Sequence, residues 1–427
     1  MKAIILSALL LIAALNVKAQ TRDLDFYLEQ AKVNSPLINK NKNESKIAEL
    51  DLDQIRSMLS KPSINLESSV LFAPIISHDN HSDHFKWISN GADDYTGYDL
   101  AVTDGGQYQA FISLKQLLFT NSRLRTYSAK TDLSEQINEN NIELTIHELK
   151  QLVTCQYILC LQSKMQEENR ISLLKEMDEQ LQMMRKLVEN GIYKQSDFIL
   201  LQITDQNYQI ELKSFQSDYL SNLYDLNLLC GIKDTSKVDL QAIKVQIESE
   251  KITKSNFSVT YQLDSLNLIT TQKISEMDYK PQVSLLANAG LNAVYRPSFD
   301  RIGFSTGISF SWNIFDGHQR KIQREKSTIN LSTLEFEKQN FLNKADMHRN
   351  KIIDQIHSLD QQIDLVNGQL KNYEQLLSIY SEELSQGELS VIDFKNLFQD
   401  IASKKQEDIL LKTKKQILIN AYQYWNY

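Results

Sequence analysis

Three histidines stand close together in the amino-acid sequence and could bind a metal ion. His78, His81 and His84 lie within a stretch of seven residues that also contains aspartates. Neutral imidazole and carboxylate groups at such short spacing are suitable ligands for Zn²⁺, Cu²⁺ or Ni²⁺. The stretch is also typical of a polar loop between two strands, and we favour that interpretation. A metal site at the three histidines stays open as the alternative.

The rest of the sequence carries no pattern that predicts catalysis. It contains no Gly-rich phosphate loop, no nucleophile elbow, and no CxxC or HExxH motif. The three cysteines, at positions 155, 160 and 230, are interpreted as small core residues and not as a disulfide framework or a metal site. We therefore expect no enzymatic activity and no cofactor.

The composition predicts a few long elements and excludes two classes of protein. A chain of 427 residues with only 12 Gly and 5 Pro has too few turn residues for a compact multidomain enzyme. It lacks a run of about 18 apolar residues, which excludes a membrane protein built of helices. The net charge is −8 and no basic block is present, so we expect no nucleic-acid partner.

The N-terminus predicts export from the cytoplasm. Met1 and Lys2 are followed by an apolar run over residues 4–15 and then by Val17, Lys18 and Ala19. This order is typical of a secretory signal peptide with cleavage after Ala19. We therefore expect residues 1–19 to be removed from the mature protein.

The sequence contains an internal tandem duplication. Residues 108–119 align with residues 304–315 at an offset of 196. A Lys-Pro pair comes before the first strand of each repeat, at Lys61-Pro62 and at Lys280-Pro281, with an offset of 219. Because 219 exceeds 196 by 23, the first repeat has 23 more residues in the loop that contains the three histidines. The two predicted structural repeats cover residues 20–231 and 232–427.

Each repeat has two segments in which apolar and polar residues alternate. Alternation over 9 to 13 residues predicts strands with one apolar face, long enough to cross a bilayer at a tilt. A soluble sandwich would use strands of the same pattern. Four strands cannot close a membrane barrel, so a membrane location would require several copies of the chain. The predicted strands cover residues about 61–75, 107–118, 281–295 and 301–315.

Between the strand pairs the apolar residues change to a helical period. From Ile352 to Leu384 they are spaced four and three residues apart, which is the period of a coiled-coil seam. The equivalent positions of the first repeat include Gln156, Cys160, Ser163 and Glu167. We therefore expect the first seam to be looser or to face water. The predicted long helices cover residues about 121–189, a rod of roughly 100 Å, and about 196–230, 318–385 and 391–425.

Two turns between helices occupy equivalent positions in the repeats. Gly191 and Gly387 are each followed six residues later by an acid, Asp197 and Asp393. Glycine supplies a left-handed helix cap, and the helix dipole favours an acid in the first turn of the next helix. Aromatic residues are predicted at the junctions between strands and helices, where we favour a membrane-interface girdle: Phe310, Trp312 and Phe315 in the second repeat, and Tyr108 and Phe119 in the first.

The second junction resembles a family signature. The run Trp312-Asn313-Ile314-Phe315-Asp316-Gly317, between a strand and a long helix, is similar to the signature of the outer-membrane efflux protein family, the TolC-like channels. Residues 117–122 are a degenerate counterpart in the first repeat, and residues 31–36 are similar to the start of the family's first helix. The resemblance extends over essentially the whole mature chain, including the duplication.

The resemblance implies a mixed, mainly α fold and a function. Three chains would each give four strands to one twelve-stranded barrel in the outer membrane of a Gram-negative bacterium, and the helices would continue as a periplasmic α-barrel. Such a homotrimer is a passive exit duct for efflux or type I secretion. Its implied partners are outer-membrane lipid, a periplasmic adaptor protein, and an inner-membrane pump such as a resistance-nodulation-division or ABC transporter.

The resemblance also implies a role for the two helix turns. Gly191, Asp197, Gly387 and Asp393 would lie at the periplasmic entrance, where the adaptor docks and acidic side chains can ring the closed pore. Two alternatives from other classes remain. One is a coiled-coil scaffold in the periplasm or on the cell surface without a pore, and the other is a secreted metal-binding protein that uses the loop of three histidines.

Overall fold

The computed structural model describes residues 21–72, 74–86, 92–97, 106–247, 256–293 and 302–427. The predicted signal peptide lies outside these ranges and stays a prediction. Contacts divide the chain into two compact units, and each unit takes segments from both repeats. We call Met1–Lys42, Glu139–Thr260 and Glu337–Tyr427 the helical unit, and Asn43–Asn138 and Tyr261–Phe336 the strand unit.

Most described residues lie in α-helices. Four long helices occur in pairs joined by short turns, and three shorter α-helices precede the strands, although the sequence pattern predicted only the four. None of the described helices combines the length and the apolar composition needed to cross a membrane. The helices are α1 Leu24–Asn34, α2 Pro36–Ser60, α3 Asn121–Glu189, α4 Gln195–Leu229, α5 Phe257–Met277, α6 Gln319–Gln386 and α7 Val391–Trp425.

The strands form one large sheet and two small ones. They are β1 Thr21–Arg22, β2 Ser63–Phe72, β3 Ile75–Ser77, β4 His84–Lys86, β5 Tyr95–Gly97, β6 Gly106–Leu118, β7 Asp239–Leu240, β8 Gln282–Ala293 and β9 Ile302–Ser311. The large sheet is antiparallel in the order β2-β6-β8-β9, so the second long strand of the first repeat pairs with the first strand of the second. The mixed, mainly α fold with four long strands is therefore confirmed.

The register gives the large sheet one apolar and one polar face. One row across the four strands consists of Leu66, Ile112, Ala289 and Phe304, and the adjacent row consists of Asn65, Ser113, Asn288 and Ser305. Successive side chains of a strand point to opposite faces, so rows of each kind alternate. In the single chain Leu66 is 78 % exposed and Phe304 is 86 % exposed. The apolar face therefore has no cover within the described part of the chain.

The seam between α3 and α4 differs from the prediction of a loose or water-facing contact. Cys160 and Ser163 are only 0 % and 3 % exposed. Gln156 Nε2 donates to the Asn222 carbonyl at 3.0 Å, and Asn222 Nδ2 donates to Ser163 Oγ at 2.8 Å. Side-chain hydrogen bonds satisfy these polar groups and allow their burial. The prediction was wrong because it equated polar seam residues with exposure to water.

The apolar seam of α6 is confirmed. Five of its ten positions are buried, and the other five are half-buried. Each apolar residue at a spacing of four and three returns to the same helix face, where it packs against neighbouring helices. The buried five are Ile352, Ile356, Leu359, Val366 and Leu384.

Candidate functional site

The first helix turn closes α3 and starts α4. Gly191 has φ +77°, which is the left-handed conformation that glycine adopts without strain. The Ile192 N–H donates to the Leu187 carbonyl at 2.9 Å, which satisfies a free carbonyl at the end of α3. Asp197 Oδ2 accepts from the Lys194 N–H at 3.0 Å and so caps the start of α4. The predicted acid is therefore part of the turn.

The second helix turn repeats this construction between α6 and α7. Gly387 has φ +78°, and the Glu388 N–H donates to the Glu383 carbonyl at 2.9 Å. Ser390 Oγ accepts from the Ile392 N–H at 3.3 Å and caps α7. Asp393 lies exposed in the first turn of α7, where its charge is favourable for the helix dipole.

The two turns lie against each other. The Tyr193 hydroxyl donates to the Leu389 carbonyl at 2.7 Å and lies 3.3 Å from the Leu384 carbonyl. Ile192 covers Gly387 closely, since a Cβ built at Gly387 would lie 2.6 Å from Ile192 Cγ2. A Cβ built at Gly191 would meet no atom within 4 Å. The two glycines are thus equivalent in the repeat but differ in their surroundings.

Sequence reasoning missed Tyr193 and Ile192, the residues that join the turns. A signal was present in the alignment of the repeats, because the equivalent positions hold Leu389 and Glu388. Neither of those can make the same contact, since leucine lacks a hydroxyl and glutamate is charged. A difference between repeats at a turn therefore indicates a contact made in only one of them.

An apolar cluster supports the joined turns from within the helical unit. Phe394 and Phe398 of α7 and Leu201 of α4 are at most 1 % exposed in this cluster. Burial of a side chain of this size contributes about 1.5–3 kcal/mol. The two turns are thus packed against a buried apolar cluster of α4 and α7.

The junction after β9 contains the signature residues. Trp312 Nε1 donates to the Tyr279 carbonyl at 3.2 Å, and Asp316 Oδ2 accepts from the Arg320 N–H at 2.7 Å at the start of α6. Gly317 has φ +67° and turns the chain into the helix. Burial would raise the pKa of Asp316, but hydrogen bonds from the Tyr279 hydroxyl and from backbone N–H groups outweigh burial and lower it. These residues fix the exit of a strand into a helix.

An ion cluster ties α6 to α5 beside this junction. Arg324 Nη2 and Arg320 Nε each lie 2.7 Å from Glu276 Oε2. Hydrogen bonds from Arg324 and then from Arg320 lower the pKa of Glu276 to about 2. The carboxylate therefore stays charged at any physiological pH.

The aromatic residues predicted at the strand-to-helix junctions lie there with the exception of Tyr108, and the membrane girdle itself stays a prediction. Phe315 and Phe119 are 76 % and 87 % exposed beside the ends of β9 and β6. Tyr108, however, is the third residue of β6, so it lies at the opposite end of the strand from the helix junction. The prediction for Tyr108 was wrong because the alignment of the repeats was read without the direction of the strand.

The loop of three histidines folds into the small sheet β4-β3-β5. Asp79 organises it: Oδ1 accepts from the N–H groups of Asp93 and Asp94 at 3.0 and 2.9 Å, and the backbone hydrogen bond from Asp94 is the largest cause that lowers the pKa of Asp79 to about 2. His78 bonds to Asp83 at 2.7 Å and to Thr96 at 2.6 Å.

The three histidines do not converge in this loop. Both ring nitrogens of His78 already have partners, and His84 bonds to Ser82 at 2.6 Å. The described residues contain no group of three side chains placed to hold a metal ion. The metal hypothesis required the imidazoles of His78, His81 and His84. Hydrogen bonds within the loop already engage those of His78 and His84.

Comparisons with known proteins agree with this architecture. No known protein-family profile and no curated protein matches the sequence. Among solved structures, the chain is similar to the outer membrane protein VceC of Vibrio cholerae, with 13 % identity and a TM-score of 0.69 over 94 % of this chain and 95 % of that one. The CmeC outer membrane channel of Campylobacter jejuni has 13 % identity and a TM-score of 0.66, over 94 % and 85 % of the two chains.

The open state of the MtrE outer membrane channel of Neisseria gonorrhoeae gives a similar result. Its identity is 12 % and its TM-score is 0.67, over 94 % of this chain and 88 % of that one. Identities this low carry information about the fold alone, and the fold agrees along nearly the whole chain. The resemblance found in the sequence is thus confirmed for the architecture, and the chain has the fold of the TolC-like outer-membrane channels.

Proposed function

We propose that the protein is a passive outer-membrane duct that serves efflux or type I secretion as a homotrimer. The observation that carries the proposal is the exposed apolar face of the sheet β2-β6-β8-β9. Its register aligns apolar side chains on all four strands, and contiguous apolar surface of this extent is rare on soluble monomers. Contact with lipid removes this surface from water.

The edges of the sheet support closure by further copies. Among the described residues, β2 and β9 each pair on one side only, so each has free N–H and C=O groups along its outer edge. Lipid cannot satisfy these groups, and only a closed barrel leaves none of them unpaired. Three copies would supply twelve strands, and each β9 would pair with the β2 of the next copy.

The helices beside these edges have matching exposed stripes. On the part of α2 that belongs to the strand unit and leads into β2, three large apolar side chains are exposed: Ile47, Leu50 and Met58. On α6, which follows β9, another three are exposed at intervals of seven residues: Ile322, Ile329 and Phe336. Pairing β9 with the next β2 would bring these two stripes together and bury both of them. One arrangement of copies thus covers the edges and the stripes.

The joined helix turns are proposed as the periplasmic entrance. Gly191 and Gly387 would be the points near which the adaptor docks, and an inner-membrane pump, of the resistance-nodulation-division or ABC type, would supply the energy. A trimer gathers three copies of Asp197 and three of Asp393 at one end. Repulsion between these carboxylates would make the closed entrance easy to open. Their combined negative charge would attract cations to the entrance. No reaction is performed in a duct of this kind.

The test is chemical crosslinking in isolated outer membranes, read on a gel with and without heating and combined with an alkaline wash. The proposal predicts that the protein withstands the wash and that crosslinking gives a product of three chains that survives heating. Without the crosslinker, the band of three chains should be present before heating and should be replaced by single chains after it. A monomer released by the wash would contradict the duct and would favour the coiled-coil scaffold. An adaptor recovered with the wild-type trimer, and lost when the joined turns are replaced, would support the entrance.

A further inference from the structure

The duplicated Lys-Pro pair marks the same end of two strands. Lys61 lies two residues before β2, and Lys280 lies two residues before β8. Both strands are antiparallel to β6, so both start at the same end of the large sheet. The register puts Ser63 and Leu286 in one row through Lys115, and Lys61 and Lys280 precede that row by two and six residues. Both lysines therefore lie at the end of the sheet where the long helices begin.

Each repeat fixes the backbone beside its lysine. Trp312 Nε1 donates to the carbonyl of Tyr279, the residue before Lys280. In the first repeat Gln116 Nε2 lies 3.4 Å from the carbonyl of Leu59, two residues before Lys61. Position 116 is the repeat equivalent of position 312, so the same kind of bond occurs twice. These two bonds hold the backbone beside each lysine at the end of its strand.

The lysines are exposed and available. Within the described ranges, no ion pair or side-chain hydrogen bond holds either ammonium group. Two exposed apolar side chains, Ile314 and Phe315, lie just beyond the end of β9, at the same end of the sheet as the lysines. Lys321 of α6 is also exposed, and its nearest acid, Glu325, is 3.9 Å away. Lysine and aromatic side chains thus lie at the end of the apolar face. These lysines are a local positive group in a chain whose net charge is −8.

We propose that Lys61 and Lys280 bind the phosphate groups of anionic phospholipids in the leaflet at the helix-bearing ends of the strands. This inference rests on the proposed function, which puts the apolar face in lipid. A cation at the end of an apolar span reaches the head-group region, where anionic lipids create a negative potential. Aromatic side chains occupy the same level of a membrane. A trimer would present six of these lysines, two from each chain.

The test compares the whole assembly with the double variant Lys61→Gln/Lys280→Gln. Both are reconstituted into vesicles of equal phosphatidylcholine and phosphatidylglycerol, re-extracted, and analysed for bound lipid per chain. We expect the enrichment of phosphatidylglycerol to fall by about fivefold for each lysine removed. The control is Lys42→Gln/Lys371→Gln, which makes the same charge change at exposed positions of the helical unit and should leave the enrichment unchanged.

The possible outcomes distinguish a failure of the lysine site from a failure of the proposed duct function. A double variant that forms the heat-sensitive trimer and keeps the full enrichment would refute the lysine site and leave the duct intact. An equal loss in the control would refute the site as well, because net charge would then explain the preference. If neither the parent nor the variants enter the membrane as an assembly, the proposed function fails and the lysine site fails with it.

Discussion

The two turn glycines allow a matched comparison of the two helix ends. Both have left-handed φ values, +77° and +78°, so alanine costs the same roughly 1–2 kcal/mol of backbone strain at either position. They differ in surroundings, because a new Cβ at Gly191 meets open space and one at Gly387 lies 2.6 Å from Ile192 Cγ2. We expect Gly387→Ala to destabilise its turn by about 1–2 kcal/mol more than Gly191→Ala does.

The size of this difference follows from the overlap and from the freedom of Ile192. Inserting an extra carbon into a packed site costs about 1–3 kcal/mol. Ile192 is 48 % exposed, so its side chain relieves part of the overlap by moving toward solvent. Adding Ile192→Ala to Gly387→Ala should therefore remove most of the excess cost. Ile192→Ala alone is the control for the loss of its own contact.

Hydrogen exchange at the turns is the suitable assay, because it reports the opening of each turn separately, whereas thermal unfolding reports the loss of a whole unit. The reporters are the N–H groups of Ile192 and Glu388, each of which closes its turn with a 2.9 Å bond. An excess of about 1–2 kcal/mol corresponds to exchange about 5–30 times faster. Equal acceleration at the two mutated turns, or no rescue by Ile192→Ala, would refute the reasoning.

Three further predictions concern charge and pH. Glu276→Gln should lower the thermal midpoint of the strand unit, and this deficit should shrink as pH falls from 4.5 toward 2, where the parent carboxylate also becomes neutral; a deficit independent of pH would contradict the ion cluster. Asp79→Ala should speed hydrogen exchange at the two loop amides that donate to this carboxylate, with no change at the helix turns as the control. Burial lowers the pKa of His147 below 6.5, so the unfolded chain binds the proton first and the helical unit should lose stability as pH drops below 6.5. His147→Phe should flatten that dependence in thermal unfolding, and the exposed His357→Gln should not.

Sequence reasoning identified the features that depend on periodicity. Alternation in the strands predicted which side chains share the apolar face, and the register places Leu66 and Phe304 in one row as that alternation requires. The seam from Ile352 to Leu384 was equally visible, because ten apolar residues at one helical spacing define a single face of a helix. The duplication identified the two helix turns as equivalent positions of the repeats, with Gly191 matching Gly387 and Asp197 matching Asp393.

The features that sequence reasoning missed depend on contacts between distant parts of the chain. α2 was not predicted because Ile47, Leu50 and Met58 are exposed in a single chain and form no continuous core stripe. Residue type alone could not show that Ser163 and Asn222 bond to each other across the seam and do not face water there. Similarly, the spacing of three histidines suggested metal ligands, whereas hydrogen bonds within the loop occupy His78 and His84.

The central claim is that the polar face of the large sheet lines a pore and the apolar face contacts lipid. Two neighbouring residues of β9 test it directly, with one variant carrying Ser309→Cys and another Ile308→Cys. Both also carry Cys155→Ser, which removes the partly exposed native cysteine and leaves the buried Cys160 and Cys230. Intact outer membranes that contain either variant are treated with a water-soluble maleimide. The account predicts labelling at Ser309→Cys and protection at Ile308→Cys until the membrane is dissolved, because the two side chains point to opposite faces. Equal labelling of both positions before the membrane is dissolved would contradict the account.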